Sequence, residues 1–145
     1  VTAYDENGVY GHPDHIQVHR VGLRAAQLAG TPKAYMSTAN RDHIRRGMEQ
    51  AAASGVEMPD MPEDMPDLSD LQIGVTEDRI TTALDVRDQV EVKRRSMAAH
   101  ASQISETSFF LAMPPDMFAD AFGWEWYILD GAAPDTEETD LLEGL

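Results

Sequence analysis

Two glycines and a proline near the head of the chain constrain its folding most. An extended start, Val1 to Tyr4, is followed by Gly8, Gly11 and Pro13. The glycines open backbone conformations closed to other residues, and Pro13 suits the first turn of a helix, where its missing N–H would have no partner. The spacing predicts the end of a strand over 1–4, a loop over 5–11, and a helix from Pro13 to Ala29 closed by Gly30 and Pro32. In open α/β sheets, ligands collect at the carboxyl ends of strands, which is where this loop lies. The loop is also chemically loaded. His12, His15 and His19 are three of the chain's five histidines, and they lie beside Asp5, Glu6, Asp14 and the phenol of Tyr10. On the helix, His15, Val18, His19 and Gly22 share one face, so two imidazoles can point the same way. One face supplies at most two ligands, whereas a catalytic zinc takes three from protein and keeps one position for water. The stretch is therefore half a metal site. A histidine pair four apart, without the His-Glu-x-x-His pattern, is in general surface or helix-end chemistry, so the residues alone leave both readings open.

Similar punctuation organises the remainder. The first helix is expected to bury Val18, Val21, Gly22, Ala25 and Leu28. A strand is expected over Lys33 to Thr38, then a helix over Arg41 to Ser54 capped by Asn40 and ended by Gly55. From 56 to 70 the chain is acidic without a base and carries Met58-Pro59, Met61-Pro62 and Met65-Pro66. Proline at that density forbids a continuous helix or central strand, and the segment reads as an exposed surface insertion in preference to a lid. Leu71 to Val75 and Ile80 to Val86 read as short strands. Arg87 to Ile104 reads as a second long helix with Val90, Met97, Ala101 and Ile104 inward, Lys93, Arg94 and Arg95 mostly outward, and His100 hydrogen-bonded and partly buried. Pro114-Pro115-Asp116 opens a short helix to Phe122. Gly123 then turns the chain into a last strand, Trp124 to Leu129, whose aromatics read as packing. From Asp130 onward a loose acidic tail is expected, with only Leu141, Leu142 and Leu145 able to dock.

Composition excludes several classes. A length of 145 residues suits one domain, and a net charge of -15 opposes nucleic acid as a partner, because phosphate binding needs a basic surface. The absence of cysteine removes disulfides, thiolate ligands and a thiol nucleophile, leaving histidine and carboxylates as the metal donors. There is no phosphate-binding glycine loop and no serine in a nucleophile-elbow context, so metal-activated water is the remaining hydrolytic chemistry. No stretch approaches a membrane span, and a cytoplasmic location is expected. The chain opens on Val1 inside a strand, as an excerpt would.

Three stretches carry a family resemblance. Tyr4-Asp5-Glu6-Asn7-Gly8-Val9-Tyr10-Gly11-His12-Pro13-Asp14-His15 resembles the second metal motif of the LmbE-like, or PIG-L, zinc N-deacetylases, and within them the mycothiol-pathway enzymes. Lys93 to Gln103, with Ala99-His100-Ala101-Ser102-Gln103, is similar to a later helix of that family, and Thr139 to Leu145 to its ending. The resemblance implies an α/β fold, specifically the carboxyl-terminal part of a Rossmann-like deacetylase domain over 1–129, with the loop at 56–70 and the tail at 130–145. It implies zinc, or another divalent metal, held by His15 together with a His and an Asp of an amino-terminal motif that this sequence does not contain. That motif also supplies the general base. By the same resemblance, His12 in its protonated form stabilises the oxyanion and protonates the leaving amine, the carboxylate of Asp14 holds His12, Tyr10 donates to the substrate carbonyl and Gln103 touches the substrate. His19 and His100 match positions without an assigned role. Val9 departs from the glycine usual in the two mycothiol enzymes, which stiffens the loop before Tyr10. The expected activity is hydrolysis of the amide of a small N-acylated aminosugar resembling N-acetylglucosaminyl-inositol, with this chain alone inactive. Mycothiol S-conjugate amidase and a binding module without turnover are the alternatives. Oligomeric state is not legible.

Overall fold

The computed structural model describes residues 1–54, 73–102, 104 and 108–145. The expected loop at 56–70 and the Gln103 assignment lie outside these residues. The described elements are β1 (Thr2–Tyr4), α1 (Gly8–Gly11), α2 (Pro13–Ala29), β2 (Tyr35–Thr38), α3 (Arg41–Ser54), β3 (Thr82–Asp85), α4 (Val90–Ala99), α5 (Phe109–Ala112), α6 (Pro115–Phe122) and β4 (Trp124–Leu129). Two 3-10 turns, Glu77–Arg79 and Arg87–Gln89, precede β3 and α4. The fold is α/β, with the strands ordered β1-β2-β4-β3 among the described residues. β1 and β2 run parallel, with Ala3 opposite Met36, while β4 runs antiparallel to β2, with Ser37 opposite Tyr127. A parallel neighbour requires a crossover connection, which α2 supplies.

The described residues divide into two compact units: those within 1–43, 73–84 and 125–145, and those within 44–54 and 85–124. In the first, Ala3, Ala26, Ala34, Tyr35, Val75, Tyr127 and Ile128 are buried. α2 begins at Pro13, and Gly30 closes it in the left-handed conformation, its N–H returning to Ala26 and Gln27 carbonyls. Its inner face differs from the aliphatic stripe the sequence suggests. Val18, Val21 and Leu28 are 46%, 66% and 71% exposed, and Ala25 is exposed as well. His15, Ile16, His19, Gly22 and Leu23 are instead half-buried, and Ala26 is buried. The reason is closeness: a Cβ placed on Gly22 would lie 3.0 Å from the Ala3 Cβ, so the helix meets β1 through its small residues.

The acidic tail is also held differently from expectation. Leu141 is half-buried but Leu142 and Leu145 are exposed, and Glu138 makes the polar anchor. Its backbone pairs with Thr82, and its carboxylate accepts from Lys33 Nζ at 2.8 Å, Tyr35 Oη at 2.7 Å and Thr82 Oγ1 at 3.1 Å. These donors hold the Glu138 carboxyl below the ordinary value, the Lys33 hydrogen bond contributing most.

In the second unit, Val90, Met113 and the fully buried Phe118 form a cluster flanked by Met97, Met117 and Phe122. α4 ends at Ala99, short of the expected Ile104, because His100 leaves helical geometry and its Nδ1–H donates to the Ser96 carbonyl at 2.8 Å. His100 is exposed. Of the basic triplet only Arg95 faces outward. Lys93 donates to the Phe122 carbonyl, and Arg94 donates to the carbonyls of Leu111 and Met113 over the Phe118 ring. Carbonyls left over at the ends of short helices need donors, and these cations provide them.

Candidate functional site

The site is built on the turn that leaves β1. Asp5, 1% exposed, accepts the N–H groups of Asn7 at 3.1 Å and Val9 at 2.8 Å on one oxygen and the hydroxyl of Thr38 at 2.5 Å on the other. Because Thr38 ends β2, this carboxylate ties the turn to the neighbouring strand. Gly8 takes φ +61, and a Cβ there would lie 2.8 Å from the Cβ of His15. Val9 takes φ 65 and ψ -50, a conformation that costs a β-branched residue on the order of 1–3 kcal/mol. Its N–H is held by Asp5 and its carbonyl accepts from Gly74 N at 2.6 Å. Val9, read from sequence as a stiffening substitution, is thus a strained residue clamped on both sides.

This clamp delivers Tyr10, His12 and His15 to one place. His12 caps α2: its Nδ1 accepts the N–H of Asp14 at 3.2 Å, which leaves the proton of the neutral ring on Nε2. The expected holding contact from Asp14 to His12 is made here by the backbone, and the Asp14 side chain is exposed. His15 Nδ1 lies 3.2 Å from the Gly8 carbonyl and His19 Nδ1 lies 2.9 Å from the Tyr4 carbonyl. A carbonyl only accepts, so both nitrogens carry protons and both Nε2 atoms keep a lone pair. The His15 ring stacks on Tyr4, with centroids 3.9 Å apart and planes at 12°. It sits 4.9 Å from His12 and meets Tyr10 edge-on at 5.2 Å. Tyr10 is itself half exposed.

For a metal, the donor chemistry fits at one position. His15 offers an unprotonated Nε2 with its tautomer fixed by a main-chain carbonyl, as metal-binding histidines commonly have. Among the described residues, no group of three or more His, Cys, Asp or Glu gathers to complete a coordination sphere. A cleft of about 340 Å³ opens beside the turn, lined by Asp5, Glu6, Asn7, Arg41, Thr76 and Arg79. Arg79 pairs with Glu6 at 2.8 Å, and Arg41 donates to the carbonyls of Ile73 and Gly74.

Sequence reasoning brought Tyr10, His12, Asp14 and His15 together but gave Asp5 and Tyr4 no role. An Asp followed two residues later by an N–H it can accept is a local turn signal that could have flagged Asp5. The stacking of Tyr4 carries no such signal.

No protein family model matches the chain. Curated relatives do match it along its whole length. A Geodermatophilus obscurus protein is 37% identical, a Mycobacterium sp. (strain KMS) protein 37%, and a Salinispora arenicola protein 34%; each is aligned over 100% of this chain. All three are named 1D-myo-inositol 2-acetamido-2-deoxy-alpha-D-glucopyranoside deacetylase. The chain is homologous along its whole length to these deacetylases. It spans about half the length of the relatives it matches, covering 54%, 48% and 50% of them respectively. The resemblance carried by Tyr4 to His15 thus reflects a relationship to these deacetylases over the whole chain. No helix among the described residues is long and apolar enough to cross a membrane.

Proposed function

We propose that this chain supplies the histidine-bearing half of a zinc-dependent N-deacetylase acting on an N-acylated aminosugar of the N-acetylglucosaminyl-inositol type. The observation that carries the reading is His15, whose Nδ1–H is spent on the Gly8 carbonyl so that Nε2 is free, with His12 and Tyr10 packed around it. The names of the relatives support the substrate class. His15 Nε2 would hold the metal together with donors outside this chain, and zinc, when bound, would supply Lewis-acid charge and acidify water.

The chain's own residues do the rest. As the amide carbon becomes tetrahedral, its oxygen gains charge and needs donors already aimed at it. His12 presents an Nε2–H for that purpose, because the Asp14 N–H occupies Nδ1. Delivery of a proton to the departing amine nitrogen would use the imidazolium form of His12, in which Nδ1 takes up a proton and gives up the Asp14 N–H, so that loss of the Nε2 proton leaves a neutral ring. Tyr10, half exposed beside both rings, can turn its hydroxyl to the same oxygen. The proton acceptor for water lies outside this chain.

The test compares acetate release from N-acetylglucosaminyl-inositol, and zinc content, for this chain alone and for a form extended at its amino terminus by the corresponding segment of a relative. Stoichiometric zinc and turnover are expected only in the extended form. Tight zinc binding with turnover by the chain alone would disprove the ligand assignment. Faster cleavage of a bulky S-conjugated acylcysteine amide, by more than about a hundredfold in kcat/KM, would move the substrate from acetyl sugar to conjugate, since one apolar contact discriminates by only about 1–3 kcal/mol.

A further inference from the structure

We infer that His19, four residues beyond the expected metal ligand, is a positioning residue for it and acts through Tyr4. The inference rests on the reading of His15 as a ligand. In β1, the Val1 carbonyl accepts from Tyr35 N at 2.9 Å and Asp5 N donates to the Ser37 carbonyl at 3.0 Å, so the odd-numbered residues of β1 face β2. Alternate residues of a strand turn their backbone groups to opposite sides, so the Tyr4 carbonyl points away from β2. β1 ends the strand order among the described residues, and the Tyr4 carbonyl faces a side where no described strand pairs. His19 Nδ1–H takes that carbonyl at 2.9 Å.

This bond fixes more than an edge. α2 can come near enough to make it because Gly22 stands against Ala3. With its backbone pinned by His19, Tyr4 lays its ring flat on His15, 3.9 Å between centroids. Beside the His12 ring 4.9 Å away, His15 is then held by three contacts: the Gly8 carbonyl at its Nδ1, the Tyr4 ring on its face and the Tyr10 ring edge-on. Only Nε2 remains for a ligand. Groups that orient a metal-binding imidazole are worth about 10- to 100-fold in metal affinity, and His19 sets one of these three through the backbone it holds.

The test uses the isotope-labelled chain and reads the ring proton and nitrogen resonances of His15. Stacking on Tyr4 displaces the ring protons upfield, and the Gly8 bond marks Nδ1 as the protonated nitrogen. His19→Ala should move the His15 signals toward those of a free imidazole while the backbone amide spectrum stays dispersed. His19→Asn, whose side-chain amide places a donor where Nδ1 was, should restore them. In the amino-terminally extended form, the same pair should show cobalt affinity reduced about 10-fold or more and then rescued. Unmoved His15 resonances in folded His19→Ala would overturn the inference. If His19→Ala does not fold, Tyr4→Leu decides: it keeps the carbonyl and removes the ring, so the His15 signals must shift while His19 keeps its hydrogen-bonded Nδ1 proton. His15 signals unchanged in that variant would equally overturn it. Absence of deacetylation would refute the proposed activity and leave these resonances as they are, so the two failures are distinguishable.

Discussion

Asp5→Ala should destabilise the chain by about 3–4 kcal/mol, and the figure can be built from its contacts. The carboxylate accepts two N–H groups and one hydroxyl while almost wholly buried. Asn7 is exposed, so water can satisfy its N–H after truncation, and that bond adds little. Val9 is half-buried and Thr38 buried. Each would be left short of a partner at roughly 1–3 kcal/mol, taken here as about 1.5–2 apiece. Asp5→Asn makes the comparison informative. An amide oxygen can still accept both N–H groups, and the Thr38 hydroxyl can rotate to accept from the amide nitrogen. Only the charge assistance is lost, and a cost of about 1–2 kcal/mol is expected. Urea denaturation at pH 7, followed by circular dichroism with the slope checked for constancy, measures both. An alanine variant costing under about 1 kcal/mol, or an asparagine variant as damaged as the alanine one, would refute the claim that this carboxylate holds the turn through those three donors.

Gly74→Ala should cost more than about 3 kcal/mol in the same assay, because φ is +55 and the new Cβ would meet the backbone oxygen of Ala39 at 2.0 Å, where nothing flexible can yield. A near-neutral result would mean that the 39–74 approach is looser than described. The lowered pKa of Glu138 makes its contribution present above the ordinary carboxylate value of 4.5 and lost as pH falls through the lowered folded value. The stability gap between parent and Glu138→Gln should therefore hold steady from pH 7 to about 5 and close in acid; a gap that persists at low pH would show that the charge is not what anchors the tail. In the extended enzyme, His15→Ala should lose zinc and activity together, whereas His12→Ala should keep zinc and lose about a hundred- to a thousandfold in kcat. Equal metal loss in both variants, measured by elemental analysis, would merge the two roles.

What the sequence made legible is what backbone chemistry punctuates. Pro13 and Gly30 bound α2, Pro115 and Gly123 bound α6, and Asn40 caps α3 by accepting the His43 N–H at 2.9 Å. Those signals are local, and the structure follows them. The facing of α2 was misread because aliphatic size names the apolar side of a helix, whereas contact with β1 was decided by where a glycine permits closeness. Lys93 and Arg94 turned inward for carbonyls of Leu111, Met113 and Phe122, which no periodicity around residue 93 contains. Glu138 reached Lys33 and Tyr35, more than a hundred residues earlier. At the site, Tyr10, His12 and His15 were visible as chemical types in one motif. The protonated nitrogen of each histidine was not, because main-chain groups of Gly8, Tyr4 and Asp14 decide it.

The way α2 meets β1 also governs how the histidine end responds to temperature. Gly22 against Ala3, a histidine bond to a carbonyl and a stacked ring pair are short-range contacts, while Val21 and Leu28 stand in water. Apolar burial near room temperature is driven by entropy and loses strength on cooling. The cluster around Phe118, made of Val90, Met113 and Phe122, is of that kind and should loosen first in the cold. The imidazoles of His15 and His19, fastened by hydrogen bonds, should keep their orientation, so that chilling softens the apolar cluster while the chemistry stays aimed.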